Sequence, residues 1–309
     1  MPLYWKKKAV LLKPETVYGT DSGPTGVANA LLVSDLEITP MEGQSISRNL
    51  ERPHLGAEPE LQTGTYVTAR FKIEIAGSGT AGTEPAYGPV LRACRLEQRI
   101  TEDVRVDYLP HSADPESCTI YVNVDGTLHK LLGARGSVSG ELGPLGIPRF
   151  AFAMTGLFVP VAAGALPSIV TTGFKDPLPL SKTNTPTITL HGFACAMTKF
   201  TFDLKNTVKY RAVSSQEYIA VPDRAPDGSI TIEAPPIGTK DFFAIVAAGT
   251  LGALHIVHGI DDGHIVELSA PAVQIGRASY GNEDNVVTLT LPLKFIPVAG
   301  NDELVLTLR

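Results

Sequence analysis

The chain repeats its own strand pattern. Laying residues 126–161 on residues 263–298, a displacement of 137 that needs no gap, sets Gly126 on Gly263, Val138 on Ile275, Phe150 on Val287 and Phe152 on Leu289. Met154 then meets Leu291, Phe158 meets Phe295, Pro160 meets Pro297 and Val161 meets Val298, so the phrase F-[VI]-P-V is written twice. In the later copy Val287, Leu289, Leu291, Leu293 and Phe295 alternate with Thr288, Thr290 and Lys294, the period of a half-buried strand. The earlier copy places Phe150, Phe152, Met154 and Phe158 on the matching face. A slip of one residue would turn every apolar side chain outward, so the preserved phase constrains the fold strongly.

The likeness extends upstream with changes in loop length. Val67, Ala69, Phe71, Ile73 and Ile75 alternate with polar residues, as Ile230 and Ile232 do in the second half. A short helix is expected after each: Tyr87–Cys94 in the first half, and Thr239–Gly249 in the second, with Thr239 as N-cap and Gly249 as stop. Earlier still, Leu36-Glu37-Ile38 opens a polar stretch ending near Arg48, as Phe200-Thr201-Phe202 opens one ending near Arg211. Non-periodic loops are expected at 49–65 and 212–227, and hairpin tips at Asp125-Gly126 and Asp262-Gly263. The predicted organisation is an N-terminal arm (1–30), a first module (31–163), a Pro-, Thr- and Ser-rich linker (164–186) and a second module (187–309). Residues 1–30, with Lys6-Lys7-Lys8, fit neither copy and read as an arm that docks on a neighbour. With 29 Gly and 24 Pro as punctuation, the expected fold is mainly β: two tandem β-sandwich or barrel modules, each with a short flanking helix.

Several function classes are disfavoured. A net charge of −6 supplies no basic stripe for gripping phosphates. Cys94, Cys118 and Cys195 are odd in number and lack metal-site spacing, which favours free thiols. No apolar run reaches a membrane span, and Ala9–Leu12 is too short for the core of a signal peptide. His255, His258, Asp261, Asp262 and His264 crowd ten residues, but strand geometry turns neighbours to opposite faces, so a solvated hairpin is favoured over a metal site. The pairs Glu58/Glu60 and Glu102-Asp103 read as exposed charge rather than acid–base couples, and no nucleophile or phosphate-binding motif is present. The reading therefore names no catalytic residue, no metal and no cofactor. A carbohydrate- or ligand-binding β-sandwich is a distant alternative, because Trp5 is the only tryptophan and lies in the arm.

The stretch "SRNLERPHLGAEPE" carries Arg48, Glu51, Arg52, His54, Glu58 and Glu60, a mixed-sign set suited to ion pairs across a subunit boundary. Lys6, Lys7 and Lys8 in the arm, and Arg211, Glu217, Asp223 and Arg224 around the corresponding loop of the second half, complete the candidate contact residues.

At "LYWKKKAVLLKPETVYGTDSGPTG", "LEITPMEG", "RNLERPHLGAEP", "AGSGTAGTEPAYGPVLRAC" and "DGTLHKLLGARGSVSG" the chain resembles the major tail tube proteins of long, flexible-tailed (siphovirus-type) bacteriophages. That resemblance implies a structural virion protein whose inner strands join neighbours into rings, which stack into the tube through which the genome is ejected. It implies contacts of the long loops with the adjacent ring, and a polar or acidic lumen that does not hold DNA. Implied partners are other copies of the chain, the tape measure protein and then phage DNA in the lumen without specific binding, and tail terminator and baseplate proteins at the ends, with no membrane. Assembly in the host cytoplasm follows. Ordinary family members carry one module and form hexamers; two modules per chain are expected to close the same ring as a homotrimer with pseudo-sixfold symmetry. The lumen is expected to be lined by hairpins 117–140 and 253–276, or by strands 67–75 and 228–233. A tail terminator or baseplate ring protein on the same module is the nearer alternative.

Overall fold

In the computed structural model, residues 2–113 and 115–309 are described. The first half contributes β1 (Lys8–Pro14), β2 (Ala30–Leu31), β3 (Ser34–Ile46), β4 (Leu61–Glu74), α1 (Gly88–Ala93), β5 (Leu96–Thr101) and β6 (Arg105–Pro110). It continues with β7 (Cys118–Val124), β8 (Thr127–Leu142), β9 (Arg149–Phe158) and β10 (Ala162–Ala163). The second half contributes β11 (Thr187–Leu190), β12 (Phe193–Ala194), β13 (Met197–Asp203), β14 (Lys209–Val213), β15 (Gln216–Ala220) and β16 (Asp227–Glu233). After α2 (Phe242–Ala248) come β17 (Leu251–His258), β18 (Val266–Ile275), β19 (Ser279–Glu283), β20 (Val286–Phe295) and β21 (Val305–Leu308). The molecule is mainly β, as expected, with large antiparallel sheets and two short helices; the described residues form no closed barrel.

The same strand order recurs. In the first half the ladder runs β3-β4-β9-β8-β7-β1-β2. In the second it runs β13-β16-β20-β18-β17-β11-β12. A bulge in β8 at Leu132-Gly133, opposite β7, has its counterpart in β18 at Pro271-Ala272, opposite β17. With those bulges superposed, Leu131 takes the place of Ala270, Gly136 that of Ile275 and Met154 that of Leu293. The displacement is therefore 293 − 154 = 139, two residues more than the text repeat gives. Two is the pleat period, so every side chain keeps its face while sitting one step further along the ladder. Phe295 thus corresponds to Gly156, and the twice-written F-[VI]-P-V phrase does not fall on equivalent ladder positions.

Other expectations are refined. Residues 8–30, read as arm, supply β1 and, with Leu31, β2, and Ala9–Leu12 are buried between neighbouring strands. A continuous apolar run covered on both faces reads like a truncated leader but packs as a core strand. The second helix is capped by Asp241, whose carboxylate accepts from Ala244 N at 2.8 Å, rather than by Thr239. Gly249 ends it in the left-handed conformation, φ 61°, as expected. Asp125-Gly126 does form a tight hairpin, with φ 43° and 99°. Asp262-Gly263 instead lies in the seven-residue connection 259–265 and packs on Gly79, whose N–H donates to Gly263 O at 2.9 Å. The segment 212–227, expected to be loop, contains the return strand of the β14–β15 hairpin.

Candidate assembly surfaces

The two halves are sewn together at two places. β13 lies beside β8, with Phe200 opposite Leu142, Thr201 opposite Glu141, Phe202 opposite Gly140 and Asp203 opposite Ser139. Phe200 and Phe202 are buried here. Gly140 is required at this join, since a Cβ there would stand 2.3 Å from the Phe202 ring. The second join pairs β21 with β6, Leu306 opposite Tyr108 and Leu308 opposite Val106.

Side chains lock the same boundary. Arg224, held within its own half by Glu303 at 2.5 Å through Nε and by Asn301 Oδ1 at 2.6 Å through Nη2, donates Nη1 across the boundary to His111 O at 3.0 Å. Arg95 Nη2 donates to Val221 O at 2.9 Å, and Asn206 Nδ2 to Cys94 O, the C-cap carbonyl of α1, at 2.7 Å. Arg135 donates to Ile219 O at 2.7 Å, and Ile219 N donates to the Tyr18 hydroxyl at 2.6 Å, so β15 rests on the first half.

Because β13 bridges the halves, eight strands form one continuous sheet in the order β3-β4-β9-β8-β13-β16-β20-β19. One face is core: Ile73, Phe150, Gly140, Phe202, Gly228 and Leu293 follow each other across it. The other is polar: Lys72, Ala151, Ser139, Asp203, Asp227 and Lys294 form the alternate row. Four cations near that face are matched by carboxylates, with Lys72–Asp35 at 2.8 Å, Arg149–Glu74 at 3.4 Å, Lys199–Glu141 at 2.7 Å, and Lys205 on Asp227, while Arg70 and Lys294 stand exposed outside any ion pair among the described residues.

The sheet ends in two strand edges. Among the described residues β3 pairs only with β4, and β19 only with β20. Even their core-side residues are incompletely covered. Tyr280 is 65% exposed against Phe243 of α2, ring centroids 5.5 Å apart, while Leu36 and Ile38 are half-buried. An open edge of this kind is a template for another strand.

The predicted contact residues distribute as follows. Arg48, Glu51 and Glu60 are exposed on the projecting segment between β3 and β4, and Arg52 pairs with Glu58 at 2.9 Å inside that segment. Lys6 is exposed, Lys7 lies 3.6 Å from Asp125, and Lys8 Nζ donates to Leu36 O at 3.2 Å. Arg211 and Glu217 stand exposed on the β14–β15 hairpin, and Asp223 is exposed beside it. Arg224 is engaged within the chain. Sequence reading missed β19, Tyr280 and Phe243; the one available signal was a polar-aromatic strand, "SYGNE", with no apolar alternation to bury it.

No chemistry-bearing cluster competes with these surfaces. His258 is buried between Thr185 Oγ1 and Leu178 O, whereas His255 pairs with Glu267 at 3.3 Å. Among the described residues no group of His, Cys, Asp and Glu is placed to hold a metal. Burial pushes the Cys94 and Cys118 thiols well up and Cys195 to about 11, so they stay protonated and unreactive. No described helix is long and apolar enough to cross a membrane.

A search of curated proteins finds no match to the chain. A family model described as phage tail tube protein matches residues 5–295, nearly the whole length. Its members are structural virion components rather than enzymes, consistent with a molecule whose distinctive features are strand edges and a polar sheet face. The chain belongs to the phage tail tube protein family, as a self-assembling component of the virion tail.

Proposed function

We propose that three copies close into one ring of the tail tube, each chain presenting two equivalent β-modules, so that the ring is pseudo-sixfold. The observation that carries this reading is the internal join. The chain has placed β13 on β8 within itself, and has left open β3, the counterpart of β13, and β19, the counterpart of the distal part of β8. Transferring the register of the join pairs Leu36, Glu37, Ile38 and Thr39 of one copy with Asn282, Gly281, Tyr280 and Ser279 of the next. Repeating that step satisfies both open edges of the eight-strand sheet, which is the physical reason for a closed ring.

Each copy brings eight strands to the inner wall, and their polar face lines the lumen. Strands 67–75 and 228–233 belong to that wall, as does the end of hairpin 117–140 through Ser139 of β8, whereas hairpin 253–276 lies outside the eight strands. With four of its cations held by carboxylates, the wall offers passing phosphates only scattered free positive charge at Arg70 and Lys294, too sparse to hold DNA. The tape measure protein fills the lumen before the DNA. The exposed segment 47–60, with Arg48, Glu51 and Glu60, reaches the adjacent ring, and tail terminator and baseplate proteins close the ends of a tube assembled in the host cytoplasm.

The test is a cysteine pair, Ile38→Cys with Tyr280→Cys, in the full chain. Oxidation is expected to give covalent trimers that electron micrographs show as stacked rings with six similar lobes. Covalent hexamers, or no cross-link in assembled particles, would overturn the register. Rings that form but never stack would favour the terminator or baseplate reading.

A further inference from the structure

The N-terminal strap lies across one of the two open edges. In the internal join, Leu204 N donates to Val138 O, so the even-numbered residues of β13 turn their backbone groups toward β8. Leu36 and Ile38 stand where Phe200 and Phe202 stand in the other half, and their N–H and C=O groups therefore look out of the open edge of β3. Lys8 reaches into that edge. Its ammonium donates to Leu36 O at 3.2 Å and lies 3.2 Å from the centre of the Trp5 ring.

Trp5 continues the crossing. It borders a groove of about 570 Å³ that runs from Asp35, Leu36 and Glu37 over Arg70 and Ala153 on the polar face. The strap is anchored beyond the edge, where Tyr4 N donates to Asp125 Oδ2 at 2.7 Å and Lys7 pairs with the same carboxylate. Leu3, Tyr4 and Trp5 nevertheless remain more than half exposed, so core packing does not explain their apolar character. Burial depresses the Lys8 pKa, as a desolvated ammonium requires.

We propose that Trp5 and Lys8 guard the β3 edge of the free chain, occupying in cis the position that β19 of a second copy takes in the ring, and withdraw when that copy arrives. The inference rests on the ring reading and adds a control step to it. A bare edge with apolar flanks pairs indiscriminately, and a lysine placed on it is a common protection. A single charge-assisted hydrogen bond with a cation–π contact is weak enough for the correct partner to displace.

Trp5 is the only tryptophan, so its emission reports the strap directly. The wild-type chain is expected to change its emission spectrum as rings close, with the same time course as the cross-link between positions 38 and 280 in the cysteine variant. A double variant, Trp5→Ala with Lys8→Gln, is expected to shorten the lag of assembly by about tenfold, the effect of losing two contacts of this type. Identical Trp5 emission in free chains and closed rings would overturn the guard while leaving the ring intact. A double variant that is folded by circular dichroism yet assembles no faster would do the same. Absence of rings in both proteins would remove the ring reading and the guard with it.

Discussion

β13 and β3 occupy the same place in the two halves, yet one is finished and the other is not. β13 has β16 on one side and β8 on the other, and its core residues Phe200 and Phe202 are buried. β3 has only β4, and its counterparts Leu36 and Ile38 are half-buried. The connections that follow differ in the same sense. After β3 the chain runs out into the exposed segment 47–60, whereas after β13 it folds back as β14–β15, where Tyr210 stacks on Tyr66 at 5.1 Å. The permanent join uses large aromatic side chains and a glycine that admits them. The open edge uses smaller aliphatic ones, which tolerate partial exposure. On the ring reading proposed above, one ladder position serves folding in one half and assembly in the other.

The sharpest way to break the comparison is to empty the finished side. Phe202→Ala opens a cavity beside Gly140 and is expected to destabilise the free chain by about 3–5 kcal/mol, seen as a lower denaturation midpoint at unchanged slope. A loss no larger than that of an exposed residue would mean the join is not part of the folded core. Close behind comes Arg224→Ala, which strands the Glu303 carboxylate, 4% exposed on its side chain, without its partner. Breaking a buried pair on one side costs about 3 kcal/mol or more. Replacing both residues with apolar ones, Arg224→Met with Glu303→Leu, is expected to recover most of that loss.

Much of this contrast was legible in the sequence, and the missing part has a common cause. Alternation set the faces of β4, β9, β16 and β20 correctly, because side-chain period is a local property that burial enforces residue by residue. It also placed Leu36-Glu37-Ile38 on Phe200-Thr201-Phe202, the pair on which the assembly argument turns. The two-residue error in the repeat survived because a shift by one pleat changes no face. The mixed-sign charges at Arg48 to Glu60 were found on an exposed segment. Which edge takes which partner was not legible: β8 meeting β13 and β6 meeting β21 are choices between distant strands that share one composition. Residues 96–110, of which only Glu102-Asp103 were read, as exposed charge, form the β5–β6 hairpin that receives β21 and has no counterpart after α2.

Acid offers a gentler probe of the finished side. His258 holds the linker to β17 through Thr185 and Leu178, and burial depresses its pKa below 6.5, against the hydrogen bond to Leu178 O. Burial moves His129 and His191 in the same direction. A depressed folded-state pKa means that the unfolded chain binds the proton first, so the stability contribution is complete above 6.5 and is lost as the pH falls below it. Each such histidine adds at most about 1.4 kcal/mol per pH unit to the slope. Denaturation midpoints between pH 7.5 and 5 are expected to fall, and His258→Gln to make the fall shallower. An unchanged slope in that variant would show that the linker contact does not depend on a neutral imidazole.

The smallest expected effect on the free chain is also the one that separates the two strands most cleanly. Ile38→Ala removes methyl groups from a side chain that is only partly covered, so its cost in the isolated protein is expected to stay near 1 kcal/mol, well below that of Phe202→Ala. In the proposed ring the same side chain is to be covered by Tyr280 of the next copy, with the deleted surface buried there. Assembly then bears a penalty that folding does not, and the concentration needed for rings is expected to rise by about tenfold for each ~1.4 kcal/mol of burial lost. Measured together, denaturation of dilute chains and the critical concentration for ring formation distinguish the two roles. If Ile38→Ala shifts the first strongly and the second not at all, β3 is an ordinary core strand, and the resemblance between the two halves carries no information about how copies meet.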